Sequence, residues 1–283
     1  MSKIDKSFKK IVKETLKNGD EYTNKRRNIT RLQIPSYTFR HDMINDGFPL
    51  LSLKETPIKS VIAELIWFLR GDNTKEGLNK LGTKIWDKDI ANWNGIDAGK
   101  NYSINWRNYA GQVDQIQNLI NDMQKDIFGS RLKVEAWNPA ELDKTALPPC
   151  HTGFQIIGCK NGFELHWNQR SCDLFLGIPY NIASYATLGL ILEHITGYKF
   201  LALQGDLKCV HLYGNSISES LLLISRKTNV HPNCSIKLNL PEYKGDFDEF
   251  INDVTPEDFK LINYSSFNKI KVEMLAPIKN ETK

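Results

Sequence analysis

The chain has 283 residues, 41% of them hydrophobic and 25% charged, which is enough to bury a sizeable core, and its formal charge of +4 is small for that length. The charge is spread along the chain and does not by itself imply nucleic-acid binding, and no run of about 18 uncharged apolar residues predicts a membrane span. Five cysteines (Cys150, Cys159, Cys172, Cys209 and Cys234) make an odd count without metal-ligand spacing, so neither a disulfide framework nor a metal site is expected. With no apolar signal core near the N-terminus and no internal repeat, the expectation is one soluble, cytoplasmic domain over residues 1–283.

Ile4, Phe8, Ile11, Val12 and Leu16 recur at helical spacing before Asn18 and Gly19, which predict a helix and its stop. Residues 20–28 are polar and include Lys25, Arg26 and Arg27, the pattern of a solvated basic loop. Residues 29–39 alternate as a strand. Pro57 then opens an amphipathic helix with Ile58, Val61, Ile62, Leu65 and Leu69 on one side. Glu64 sits among them. A carboxyl in apolar surroundings has a raised pKa suited to acid-base work, whereas on the opposite face it is an ordinary surface glutamate. Residues 71–112 read as loops and short helices with Trp86, Trp93 and Trp106 interleaved, normally a sign of core packing. Val113, Ile116, Ile120 and Met123 predict the buried stripe of a further helix.

A hairpin is predicted next: residues 152–158 are mostly apolar, Asn161 and Gly162 signal a turn, and residues 163–170 alternate. Phe163, Leu165 and Trp167 share one face, and Glu164, His166, Asn168 and Arg170 the other. Cys150 lies just before this hairpin, and a cysteine attacks only as thiolate, which a neighbouring guanidinium such as Arg170 favours. The same text also fits a half-buried hairpin with a solvated arginine. Asn181 carries an amide able both to donate and to accept, or else is a turn residue after Pro179. Ile182, Tyr185, Leu188, Leu192 and Ile195 predict a buried central helix ending near Gly197, a core element and not part of a site.

Longer motifs carry a more specific signal. Pro148-Pro149-Cys150-His151, Gln169-Arg170-Ser171-Cys172-Asp173 and residues 176–185 resemble the core of the thymidylate synthase family. Asp46-Gly47-Phe48-Pro49-Leu50, the run from Glu64 to Leu69, Ile85-Trp86-Asp87, Ala136-Trp137-Asn138 and His211-Leu212-Tyr213 match in the same order, so the resemblance covers roughly residues 20–265. It implies an α/β (α+β) fold with a large twisted mixed sheet covered by helices. It also implies methylation of deoxyuridine monophosphate with 5,10-methylenetetrahydrofolate as co-substrate, without metal, DNA or membrane.

By this resemblance Cys150 is the nucleophile toward carbon 6 of the pyrimidine, Glu64 moves protons at oxygen 4 through water, and Tyr102 helps remove the proton from carbon 5. His151 holds the water network near oxygen 4, and Asn181 selects uracil, where cytidylate hydroxymethylases carry aspartate. Arg27, Arg170, Ser171 and, from the partner of a homodimer, Arg131 bind the phosphate. Gln169 braces the nucleophile region, and His211 and Tyr213 reach the 3′-hydroxyl. Asp173 completes the nucleotide side and touches the pterin, with Ile85, Trp86, Leu176, Gly177 and Tyr180 as further folate contacts.

The chain departs from the family text in several places. The usual Arg-Thr-Gly-Thr-Gly is here Arg27-Asn28-Ile29-Thr30-Arg31, a pair of arginines is Ser130-Arg131, and Gly-Gly-Asp is Leu207-Lys208-Cys209. Ser103 and Asn105 replace glycine and glutamine, crowding or re-aiming the backbone beside Tyr102. The usual short apolar C-terminus is Leu275-Ala276-Pro277-Ile278 followed by Lys279 to Lys283. These changes keep a deoxyuridylate hydroxymethyltransferase, or a catalytically weak nucleotide- or RNA-binding relative, as alternatives.

Overall fold

In the computed structural model, residues 2–24, 29–227 and 234–273 are described. Helix α1 (Lys3–Asn18) is capped by Ser2, whose hydroxyl accepts from Asp5 N, and it buries Ile4, Phe8, Ile11 and Val12. Asp5 is itself buried and accepts from Ser52 N at 2.9 Å and Ser52 Oγ at 2.6 Å, fixing the helix to the segment ahead of α2. Gly19 ends α1 at φ −71°, an ordinary conformation. Glycine is needed there for room, since a Cβ would lie 2.4 Å from Thr15 O.

Strand β1 (Asp20–Asn24) pairs antiparallel with β2 (Ile29–Asp42), so much of the expected basic loop is an edge strand. The side chains of Asp20 to Thr23 are exposed, and an edge strand held by backbone pairing needs no apolar alternation. Helix α2 (Ile58–Leu69) follows, then the short helices α3 (Lys75–Lys80), α4 (Asp87–Trp93) and α5 (Tyr102–Arg107), and α6 (Gln115–Lys125). The α6 stripe is Ile116, Leu119, Ile120 and Met123. Val113, expected in that stripe, is 40% exposed and lies outside the helix, because Asp114 caps it by accepting from Gln117 N at 2.9 Å.

The remaining elements are β3 (Lys133–Glu135), β4 (His151–Cys159), β5 (Gly162–Gln169), β6 (Cys172–Asp173), α7 (Gly177–Thr196), β7 (Phe200–Tyr213), α8 (Ile217–Ser225), β8 (Ser235–Leu238), α9 (Phe247–Asp253) and β9 (Phe259–Ile262). Seven strands form one mixed sheet in the order β1-β2-β7-β5-β4-β3, with β6 added to β7. The hairpin β4–β5 forms as expected, turning at Lys160 and Asn161 with Gly162 already paired to Cys159. Strand β5 pairs parallel with β7, which requires a crossover, and α7 supplies it. Gly197 ends α7 in the left-handed region at φ 76°.

The two faces of the sheet differ. Phe39, Phe154, Ile156, Leu165, Trp167, Leu203 and Leu207 point into one continuous core beneath the helices. On the other face a polar row runs across four strand pairs, Lys133, Gln155, His166, Gln204 and Arg40, with Glu164 bonded to both Arg40 and His166. Gln169 ends β5 on the core-facing side, and this is where the candidate site begins.

Candidate active site

Cys150 occupies a bend just before β4, and its backbone is held from two directions. Its N–H donates to Tyr102 Oη at 2.7 Å, and its carbonyl accepts from Arg170 N at 2.9 Å. Arg170 lies one residue past the end of β5, where the chain bends, and not on the strand's polar face as alternation predicts. That bend turns its guanidinium back: Nε donates to Pro149 O at 2.8 Å, Nη2 donates to Pro148 O at 3.0 Å, and the group lies over the Trp137 ring at 4.9 Å. Two of the five N–H groups of a guanidinium are thereby committed, which leaves others for an anion.

Behind Cys150 is an aromatic cluster. Tyr102 opens α5, with Asn101 as its cap, and stacks on His151 at 3.9 Å. Ser103 does not crowd the backbone, because its hydroxyl donates to Asn101 Oδ1 at 2.6 Å within the cap, while Asn105 Nδ2 donates to Ala136 O at 3.0 Å. Burial, reinforced by Cys150 nearby, raises the Tyr102 pKa well above the ordinary phenol range, so Tyr102 stays protonated at neutral pH. His151 is pushed down to about 3 by burial and is neutral. Its Nδ1 lies 2.8 Å from Tyr185 Oη.

Glu64 is half-buried on α2 and accepts from Trp86 Nε1 at 2.6 Å. Desolvation raises its pKa to about 7, which that hydrogen bond only partly offsets. Such a carboxyl exchanges its proton near neutrality, as a general acid-base group must. Trp86 is 7% exposed and packs among Trp67, Phe68 and Tyr102, whereas Ile85 beside it is half-buried.

The other wall is built by the β5–β6 connection and the start of α7. Gln169 is buried; its Oε1 accepts from Trp167 Nε1, and its Nε2 donates to Ser171 O and Asn181 Oδ1, each at 3.1 Å. Asn181 stands in the first turns of α7, not in a loop turn. Asp173 Oδ1 accepts from Phe175 N at 2.9 Å and Leu176 N at 3.2 Å, and burial raises its pKa. Tyr180 is half-buried and pushed up to about 12 by burial, with Glu64 adding to the shift.

Farther along β7, His211 donates from Nδ1 to Cys209 O at 2.7 Å, is lowered to about 4 by burial, and meets Tyr213 edge-on at 4.8 Å. Leu207 is core and Lys208 is exposed. Cys209 has φ 46° and stands opposite Pro35, which has no N–H to pair, while the β2–β7 register is kept on both sides of it. Arg131 is exposed ahead of β3, and its side chain makes no hydrogen bond or ion pair among the described residues. Arg27 and the expected C-terminal tail lie outside the described residues.

Two residues escape the sequence reading. Tyr185, assigned to core, touches His151; its signal is its position four residues after Asn181, on the same helix face. Lys54 is 6% exposed, donates to Phe175 O, lies 4.1 Å from the Phe175 ring and is lowered to about 8 by burial, with Asp173 opposing the shift. A lysine between Leu53 and Glu55 gives no clear sign of such burial.

Among the described residues no helix is long and apolar enough to cross a membrane, and no group of three metal-ligating side chains is placed to hold an ion. The chain matches the thymidylate synthase family over residues 6–276. A match over nearly the whole length, on a mixed sheet where one end of the β4–β5 ladder gathers Cys150, Tyr102, His151, Arg170 and Asn181 into one region, shows that this chain belongs to the thymidylate synthase family of one-carbon-transfer proteins.

Proposed function

We propose that this protein transfers a one-carbon unit from 5,10-methylenetetrahydrofolate to carbon 5 of deoxyuridine monophosphate, giving thymidylate and dihydrofolate, as a cytoplasmic homodimer of one catalytic domain per chain. The supporting observation is the clamping of Cys150 between Tyr102 and Arg170, with Asn181 aimed by Gln169. Cys150 adds as thiolate to carbon 6, and the electron pair of the carbon 5–carbon 6 bond moves toward oxygen 4, making carbon 5 nucleophilic. Glu64 and neutral His151 manage the proton at oxygen 4. Tyr102, protonated and bonded to the Cys150 backbone, relays the proton lost from carbon 5 to solvent and is not itself a phenolate base. Expulsion of the Cys150 sulfur restores the ring double bond.

Arg170, Ser171, Arg27 and Arg131 of the partner subunit bind the phosphate, and His211 and Tyr213 the sugar. Support for the dimer comes from the polar sheet face. Gln155 in its cross-strand row donates to Ser130 O at 3.1 Å, which sets Arg131 at the border of that face. Folate supplies the one-carbon unit and the reducing hydride. Asp173 suits it, since Oδ1 is taken by two backbone N–H groups while Oδ2 has no hydrogen bond among the described residues and can accept from a pterin N–H. Ile85, Trp86, Leu176, Gly177 and Tyr180 complete that wall.

A hydroxymethyltransferase is the second reading, favoured by the absence of a carboxylate at Cys209 and by the outward-facing Lys208. Incubation with deoxyuridylate and methylenetetrahydrofolate decides between them. The synthase yields thymidylate and dihydrofolate in equal amounts, whereas 5-hydroxymethyldeoxyuridylate with tetrahydrofolate identifies water addition to the exocyclic methylene left on carbon 5.

A further inference from the structure

We propose that Tyr185 is a positioning residue that fixes the tautomer of His151 by donating its phenolic proton to Nδ1, so that the ring proton resides on Nε2. The 2.8 Å contact between Oη and Nδ1 allows either direction of donation. The surroundings decide it. Tyr185 is 2% exposed, stacks on Trp167 at 5.2 Å, and is enclosed by Trp106 and Phe154. Its hydroxyl makes no other hydrogen bond among the described residues. If Nδ1 donated to Oη, the phenolic proton would be buried without an acceptor, a costly arrangement. If the phenol donates, both groups are satisfied.

Burial keeps both partners in the neutral forms this pairing requires, with Tyr185 well above the ordinary phenol range and His151 well below that of imidazole. His151 Nε2 makes no hydrogen bond among the described residues and is not one of the fully buried, unpartnered side-chain atoms. It therefore carries a proton that can be presented to a ligand oxygen. Stacking on Tyr102 holds the ring plane, and Tyr185 sets which nitrogen donates. The catalytic consequence rests on the proposed reaction, in which that donor serves the oxygen 4 network; the tautomer itself does not.

Histidine-selective nitrogen-15 spectra of the intact protein test the tautomer directly. The expected spectrum has protonated Nε2 and unprotonated Nδ1 for His151, and Tyr185→Phe mixes or inverts this pattern. Tyr102→Phe is the control and leaves it unchanged. In turnover, Tyr185→Phe lowers kcat about tenfold with KM for deoxyuridylate within about twofold, a modest share of a general acid-base contribution. A protonated Nδ1 in the unsubstituted protein overturns the proposal without recourse to any variant. An inverted tautomer with unchanged kcat overturns its link to catalysis. Absence of thymidylate or hydroxymethyl product from the unsubstituted protein sinks the reaction assignment while the spectra still decide the tautomer.

Discussion

Gln169 Nε2 donates to Asn181 Oδ1 at 3.1 Å, and Gln169 is itself oriented by accepting from Trp167. The bond leaves the Asn181 Nδ2 donor directed away from Gln169, where it complements an acceptor such as uracil oxygen 4. In Asn181→Asp one carboxylate oxygen retains the Gln169 bond, and the other replaces that donor with an acceptor for the cytosine amino group. The expected outcome is a shift in kcat/KM from deoxyuridylate toward deoxycytidylate by about 100-fold or more. An unchanged ratio would remove Asn181 from base selection.

Cys150→Ser is expected to abolish turnover while deoxyuridylate affinity, measured by calorimetry, stays within about tenfold, since phosphate and base contacts come from other side chains. The serine hydroxyl is far less nucleophilic than a thiolate. Alanine at Cys159 or Cys234 should leave the chemistry intact, and appreciable turnover by Cys150→Ser would refute the covalent route.

For Glu64 the sign of the pH effect is fixed by its raised pKa. The folded protein holds this proton more tightly than the unfolded chain, so the group's contribution to stability falls as pH rises from about 4.5 to about 7. Glu64→Gln keeps an acceptor for Trp86 and removes the buried charge. Its melting temperature should therefore gain on the unsubstituted protein more at pH 8 than at pH 5, with a pH-dependent difference of at most about 3 kcal/mol. The same variant should lose about 100-fold in kcat. Parallel melting curves across pH would show that Glu64 does not titrate near 7.

Arg131→Ala should raise KM for deoxyuridylate. When Arg131→Ala and Cys150→Ser protomers are unfolded together and refolded, mixed dimers should turn over with the low KM of the unsubstituted protein, which Arg131→Ala alone lacks and inactive Cys150→Ser cannot supply, because one of their two sites is complete. A KM that stays raised, with mixed dimers confirmed by mass, would place the Arg131 contact within its own chain or nowhere.

The sequence by itself determined what depends on near neighbours. Helix α1, the Glu64 helix and the β4–β5 hairpin follow from periodicity and turn chemistry, and the hairpin brings Cys150 to Arg170 because His151 pairs with Gln169. The longer motifs identified the family for the same reason, being contiguous text. Only the tertiary structure decided the contacts made across distance in the chain. It brought Tyr102 to Cys150, turned Glu64 toward Trp86, and joined β5 to β7 in parallel. Alternation carried the strand through Arg170, but the bend after Gln169 redirects that side chain onto the prolines ahead of Cys150. Periodicity likewise marks Tyr185 as buried without saying what its hydroxyl meets. A hydrophobic pattern records that a residue is removed from water, whereas the partner that satisfies a buried polar atom is set by how separate elements pack.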